Sequence, residues 1–454
     1  MCGVFGVRAP GRDVARLSYF GLYALQHRGQ ESAGIAVSED GRLTVLRDLG
    51  LVAQVFDERA LSGLKGQLAI GHTRYSTTGG NAWINSQPLI HHGRVRTVAL
   101  GHNGNLVNAD ELRAEVGKTL GSSSDSEVIA ALVADDERPL EEALVSAMRK
   151  LDGAASVVGL ADETLFAFRD AHGFRPLVLG RLGEDTVVAS ETCALDLVGA
   201  ELVREIEPGE LVLVDGNGVR TVRALEEANG GALCIFEFFY LARPDTRLAG
   251  VEVHGARVRM GERLAAEAPV DADLVLPIPD SGTPAAIGFA RAAGIPFSEG
   301  LIKNRYVGRT FIQPEQGMRE QGIRMKFNPL GEVEGKRVVV VDDSIVRGST
   351  TRQIVQMLFD AGAAEVHVRI SSPPVVSPCY YGIDLASEDE MIAAHASVEE
   401  VREAIGATSL AYLSLEGLEE STRRPRSSLC RACLTRDYPT AVPADTGKHR
   451  FEHV

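Results

Sequence analysis

The 454-residue chain lacks any apolar run of the roughly 20 residues that a membrane span needs. Its first residues also lack the basic and apolar regions of a secretory signal. A membrane protein and a secreted one are thereby disfavoured, and a cytoplasmic setting is expected. Positive charge is not in excess either. Lys and Arg number 47 against 62 Asp and Glu, a formal net charge of −15, and no long basic stripe offsets it, which argues against a nucleic-acid partner. The short run Arg423-Arg424-Pro425-Arg426 reads as a solvated linker. No internal repeat, low-complexity tract or G-x-x-x-x-G-K-[ST] loop is present. Cysteine is scarce. The six are Cys2, Cys193, Cys234, Cys379, Cys430 and Cys433, and in a reducing compartment they point to thiolate chemistry or metal binding rather than structural disulfides.

What is present is a globular composition, 44% hydrophobic and 24% charged, on a chain long enough for two or three domains. Residues 1–225 read as many short strands with a few helices, an α+β arrangement. "LSYFGLYALQHRG" (17–29) suits an amphipathic helix closed by Gly29. "SDSEVIAALVADD" (124–136) suits a helix with a capping box from Ser124 to Glu127. "ASVVGL", "LFAFRD", "PLVLGR", "TVVAS" and "GELVLVD" read as strands. "LEEANGGAL" (225–233) is a plausible boundary, dividing the chain into residues 2–230 and 231–454. Beyond it, apolar strands alternate with helices, which indicates a parallel α/β sheet. The long polar and basic stretch 303–330 reads as a functional loop.

The sharpest signal is "RVVVVDDSIVRGST" (337–350). A buried strand delivers Asp342 and Asp343, then a turn rich in Ser and Gly, then a helix. Ligands of open α/β sheets sit beyond the carboxyl ends of strands. The turn amides and the helix N-terminus can hold a phosphate, aided by Ser344, Arg347, Gly348, Ser349 and Thr350. The paired carboxylates can accept from ribose hydroxyls and approach Mg²⁺. This stretch resembles the phosphoribosyl diphosphate motif of the type I phosphoribosyltransferases. In that family the loop matching "LPIPDSGTPAA" holds the diphosphate, which implies Ser281 near the metal.

The chain opens "MCGVFGV". Removal of Met1 would leave a thiol and an α-amine on Cys2, a nucleophile carrying its own base. Alone, the stretch reads as well as a small apolar residue in an edge strand. However, "MCGVFG", "LQHRGQESAGI", "GHTRYSTTG", "GHNGNL" and "SSDSE" together resemble the class II, N-terminal-nucleophile glutamine amidotransferases. The resemblance implies that Cys2 is the nucleophile. Arg74 can then grip the α-carboxylate of glutamine and Asp125 its ammonium, while Asn103 and Gly104 form an oxyanion hole.

A class II glutaminase joined to a type I phosphoribosyltransferase resembles the amidophosphoribosyltransferase family, which opens de novo purine synthesis. The expected fold is an αββα N-terminal-nucleophile domain followed by an α/β phosphoribosyltransferase domain. The expected substrates are glutamine and 5-phosphoribosyl 1-diphosphate. The resemblance also implies feedback by purine nucleotides and a homotetramer. Lys303, Arg305 and Lys326 are candidate phosphate contacts on a lid. Cys234, Cys379, Cys430 and Cys433 make a four-thiolate site; by spacing alone zinc and an iron–sulfur cluster are comparable. Resemblance to the Bacillus-type branch implies a [4Fe–4S] cluster there, and Cys193 is left as core. Members of that branch often carry a propeptide, whereas here only Met1 precedes Cys2, so an aminopeptidase should suffice for maturation. The rivals are another class II glutamine amidotransferase and a regulatory protein that senses phosphoribosyl diphosphate. The phosphoribosyl motif opposes the first; a repressor would need a DNA-binding module, and none is visible.

Overall fold

The structure is a computed structural model, and it describes all residues except 77–78, 118–119, 229, 305–324, 386 and 443–454. In the first half two antiparallel sheets stack face to face. One runs in spatial order Glu201–Glu205, Val178–Leu182, Asp185–Ala189, Gly3–Arg8, Leu68–Arg74, Ser32–Glu39, Arg42–Leu49; the other runs Gly218–Arg223, Glu210–Asp215, Thr164–Arg169, Gly153–Ala161, Thr97–Leu106, Leu89–His92. The two-residue side-chain period of a strand builds the layers. Val4, Ala36 and Ile70 point inward against Ala99, Val158, Leu165 and Val212. Their neighbours Phe5, Ile35 and Ala69 point outward against Val14, Leu22 and Leu195 on helices Val14–Ala24 and Thr192–Val198. On the far side Leu100, Val157 and Phe168 pack on Val128, Leu144 and Met148 of helices Asp125–Ala134 and Leu140–Lys150. Helices, sheet, sheet, helices: this is the αββα arrangement.

Three local expectations need correction. The first helix spans Val14–Ala24 with Asp13 as its N-cap, and only a 3₁₀ turn, Gln26–Arg28, follows. Gly29 therefore closes no α-helix but ends that 3₁₀ turn; its backbone is extended, and a Cβ there would lie 2.6 Å from the backbone of Arg74. The second concerns residues 124–127. Ser124 does cap the helix, accepting from Ser126, but Glu127 does not reach back to complete a box. Its carboxylate accepts from the amides of Gly121 and Ser122 instead. Third, the strand behind Cys2 lies between two others, Asp185–Ala189 and Leu68–Arg74, and so is no edge.

The second half is built on a parallel sheet in the order Leu274–Pro277, Arg337–Asp342, Glu365–Ile370, Ser409–Tyr412. Helices Val253–Glu267 and Thr283–Ala293 cover one face through Met260, Leu264 and Phe289. Ser349–Asp360 and Val398–Ile405 cover the other through Ile354, Leu358 and Val401. Covering both faces explains why strands Leu274–Pro277 and Arg337–Asp342 are almost uninterrupted valine and leucine. Strand Ser409–Tyr412 is short and only half-buried, and it carries little strand signal in the sequence. The segment 423–426 is no open linker: Arg423, in the left-handed region, caps helix Leu415–Thr422, and Arg426 lies 3.6 Å from Glu419. Among the described residues no helix is long and apolar enough to cross a membrane.

The halves meet along a buried seam. The last strand of the stacked sheets ends at Arg223, and the next paired segment, Leu233–Cys234, lies parallel to Leu429–Cys430. Arg28 of the first half is fully buried between Glu191 and Glu237, donating to Glu237 at 2.7 Å. Glu237 belongs to the second half, on a short π-helical turn, Glu237–Leu241.

Candidate active sites

At the first corner Cys2 enters the sheet buried, and the Asn103 side chain comes from the facing sheet. The amide of Cys2 donates to Asn103 Oδ1 at 3.2 Å, and Sγ lies 3.5 Å from the carbonyl of Tyr75. Asn103 Nδ2 is buried with no hydrogen-bond partner among the described residues. A buried donor left bare beside a thiol is costly unless an acceptor arrives. Gly104 follows, packed so that a Cβ would lie 1.9 Å from the carbonyl of Ala154. Only glycine fits.

Arg74 and Asp125 are both buried near this corner's elements. The Arg74 terminal nitrogens donate to the carbonyls of Gly79 and Gly80 at 3.1 and 3.0 Å, so the guanidinium orders the turn after its strand. Asp125 Oδ2 accepts from the amide of Leu106 at 2.9 Å, tying the helix start to the strand that carries Asn103. Met1 is only 4% exposed and packs with Leu233, Phe236 and other residues of the second half. Burial pushes its α-amine down to about 5.

At the second corner Asp342 ends its strand and Asp343 follows, both buried. Asp343 meets the hydroxyls of Ser344, at 2.6 Å, and Ser281. Burial pushes both carboxyls up. For Asp342 the charge of Asp343 adds to this, whereas Ser281, Ser344 and the buried Arg257 pull Asp343 back. Gly348, at φ +76°, caps helix Ser349–Asp360, leaving Ser349 and Thr350 exposed at its N-terminus. Arg347 turns outward to Glu390 at 2.7 Å. Lys303 pairs with Asp280, and Lys326 Nζ lies over the ring of Phe327. The antiparallel pair Leu301–Lys303 and Phe327–Pro329 joins the two ends of the long loop; Arg305 and most of that loop lie outside the described residues.

Of the four cysteines named together, backbone contacts link Cys234 with Cys430, and the loop of Cys379 with Cys433. Cys234 and Cys430 face each other in register across their parallel pair. Cys379 sits on the loop after strand Glu365–Ile370, and its Sγ accepts from the amide of Tyr381 at 3.4 Å. Val376 donates its amide to the carbonyl of Cys433. Burial pushes the Cys234 thiol up to about 11, and Cys430 and Cys433 higher, each raised further by its neighbours. Among the described residues no three His, Cys, Asp or Glu side chains stand close enough to hold a single metal ion. This applies to the paired aspartates as well as the thiols. Cys193 is a buried thiol near Glu191, pushed up by burial, and joins the core.

The glutamine amidotransferase domain family matches residues 72–197, and the phosphoribosyl transferase domain family matches 253–371. The chain is 52% identical to the amidophosphoribosyltransferase of Mycobacterium tuberculosis, spanning 100% of this chain and 89% of that one. It is 47% identical to the amidophosphoribosyltransferase of Bacillus subtilis, over 98% of this chain and 95% of that one. The solved structure of the B. subtilis glutamine phosphoribosylpyrophosphate amidotransferase, complexed with ADP and GMP, superposes with a TM-score of 0.92. That match has 46% identity over 98% of this chain and 99% of that one. The chain belongs to the amidophosphoribosyltransferase family.

In this amidophosphoribosyltransferase-family chain several side chains at the corners carried no sequence signal. His72 and His102 stand inside the quoted fragments yet drew no assignment. Here His102 bridges the Ser126 hydroxyl and the carbonyl of Ala154, and His72 Nε2 meets the carbonyl of His102 at 3.1 Å. Burial pushes His72 down to about 3. Arg28, Glu191, Glu237 and Arg175 form a fully buried ionic group across the seam. Only Arg28 lies in a fragment singled out from the sequence. The loop after Cys379 also reaches the first corner. Asn105 donates to the carbonyl of Tyr380, Tyr75 donates to Asp384 at 3.2 Å, and a Cβ on Gly382 would lie 3.1 Å from the backbone of Gly104.

Proposed function

We propose that this chain is a glutamine-dependent amidophosphoribosyltransferase of purine biosynthesis, whose two corners act in series. The division lies near residue 230, with residues 2–230 as the glutaminase and 231–454 as the transferase. The observation that carries the reading is the pairing of Cys2 with Asn103 across two sheets, with Asn103 Nδ2 left bare. Once Met1 is removed, the nitrogen that now donates to Asn103 Oδ1 becomes the α-amine. An α-amine ordinarily has a pKa of about 7.7–8.0, close enough to neutrality to take the thiol proton. The Cys2 sulfur attacks the glutamine carboxamide carbon, and the oxyanion is held by Asn103 Nδ2 and the Gly104 amide. The tetrahedral species collapses, the leaving nitrogen takes a proton and departs as ammonia, and a glutamyl thioester remains. Water then releases glutamate. Arg74 and Asp125 take the α-carboxylate and ammonium of glutamine.

At the second corner ammonia displaces diphosphate from C1 of 5-phosphoribosyl 1-diphosphate, giving 5-phosphoribosylamine. Asp342 and Asp343 accept from the ribose hydroxyls, and the turn 344–350 with its helix N-terminus takes the 5-phosphate. Ser281, Asp342 and Asp343 would hold Mg²⁺, and the contact of Ser281 with Asp343 suits them to it; the ion would neutralise diphosphate charge. Lys303, Arg305 and Lys326 would be phosphate contacts of the lid, and Arg347 one of the turn. Cys234, Cys379, Cys430 and Cys433 would hold a [4Fe–4S] cluster, which would tie three distant segments of chain together. The in-register pairing of Cys234 with Cys430 supports this. Feedback by purine nucleotides, a homotetramer and a cytoplasmic location complete the reading. The test is one assay with glutamine and 5-phosphoribosyl 1-diphosphate. Glutamate and diphosphate should appear together in equal amounts, and glutamate release without diphosphate would sink it.

A further inference from the structure

Arg175 belongs to the first half, in the turn after strand Thr164–Arg169, and its side chain is fully buried. Its Nε and Nη2 both donate to the carbonyl of Tyr381, at 2.9 and 2.6 Å. Nη1 makes no hydrogen bond among the described residues, although Glu237 Oε1 lies 3.5 Å away. The backbone around it is clamped to the cysteine-bearing segments. The carbonyl of Phe174 accepts from the amide of Cys234 at 3.1 Å, and the Phe174 ring stacks on Tyr381 with centroids 4.1 Å apart. The Arg175 carbonyl accepts from the Ser156 hydroxyl at 2.9 Å. The guanidinium is thus held against Tyr381, whose amide donates to Cys379 Sγ, and next to the Phe174 carbonyl that takes the Cys234 amide.

Four thiolates around a metal group carry net negative charge, and burying such charge without a counter-ion is strongly unfavourable. Glu237 adds another negative charge, but Arg28 also answers that one. We propose that Arg175, supplied by the glutaminase half, is the fixed positive charge of the four-cysteine site. It stabilises the metal-bound thiolates and, if the group is redox-active, raises its potential. This rests on the reading of those cysteines as metal ligands. It also makes metal loading depend on docking of the two halves.

The experiment separates charge from hydrogen bonding. Arg175→Lys keeps the charge with a different donor geometry; Arg175→Gln keeps a donor toward Tyr381 without the charge. The full-length protein and both variants are purified anaerobically. Bound metal and sulfide are measured, metal loss to a chelator is timed, and midpoint potentials are taken where a cluster is present. Circular dichroism reports folding. Expected is metal loss from Arg175→Gln faster by about tenfold or more, with a lower midpoint potential, while Arg175→Lys stays near the unsubstituted rate. Equal rates in all three proteins, or slower loss from Arg175→Gln than from Arg175→Lys, would overturn the proposal. Unsubstituted protein that carries no thiolate-bound metal would overturn the underlying reading instead, before any variant is compared.

Discussion

The two reactive corners are built in opposite ways. The carboxylate corner is contiguous: strand, turn and helix come from residues 337–360, and its acids sit side by side in the chain. The thiol corner is assembled from Cys2, Asn103, Arg74 and Asp125 on different elements, held by bonds such as the one from the Cys2 amide to Asn103 across 101 residues. A contiguous corner reports itself in sequence and tolerates the loss of distant contacts. An assembled corner depends on the packing of every element beneath it. The loop 379–385 leans on the assembled corner from the other half, so the contiguous domain also helps to complete the scattered one.

The largest effects should come from splitting the two corners chemically. Cys2→Ala is expected to lower glutamine-dependent product formation by about a thousandfold or more while leaving synthesis from ammonia intact. Asp343→Asn should lower both routes by about a hundredfold. An equal loss of both routes in Cys2→Ala would erase the distinction. Next comes the seam. Glu237→Gln leaves Arg28 and Arg175 short of their shared buried carboxylate, and breaking a buried pair typically costs about 3–5 kcal/mol. Urea unfolding should record that loss, together with a poorer glutaminase. A wild-type unfolding curve would show the halves to be only loosely joined.

Smaller, and confined to the loop that touches both corners, is Gly382→Ala. At φ +102° and 3.1 Å from Gly104, the added methyl should cost about 1–2 kcal/mol. It should reduce glutamine-dependent more than ammonia-dependent activity. A comparable effect is expected in pH dependence. His72 is held neutral, its pKa down to about 3, so its contribution to stability is complete above the unfolded value near 6.5 and declines as pH falls toward 3. In that window the unfolded chain binds the extra proton, at up to about 1.4 kcal/mol per pH unit. Urea titrations at pH 7 and 5 should show a shallower decline in His72→Gln than in the unsubstituted protein.

Much of this was legible beforehand because local rules carried it. Short apolar stretches predicted the strands from residue 155 to 215, and apolar strands alternating with helices predicted the parallel sheet. The misreadings share a cause. Gly29 looked like a helix stop because glycine serves there commonly, but a close approach to Arg74 was the real demand. Glu127 looked like the second half of a capping box, yet it is buried with His91 and the amides of Gly121 and Ser122 on hand. Burial alone would raise its pKa; those hydrogen bonds win and hold it at about 2. In each case a tertiary partner outbid the local one.

Side-chain types and spacing by themselves pointed to a parallel sheet with paired acids at a strand end and to four candidate ligand cysteines, since each rests on short-range periodicity or on chemistry a residue carries anywhere. The αββα fold and the nucleophile role of Cys2 came from the resemblance of scattered motifs to a known family. Only the tertiary structure decided that Asn103 would face Cys2 with a bare amide, that Arg28 and Arg175 would share Glu237 across the seam, and that the Cys379 loop would rest against Gly104. These are long-range pairings of buried polar groups. Their formation depends on which surfaces exclude water when the halves close, and no local stretch of sequence encodes that.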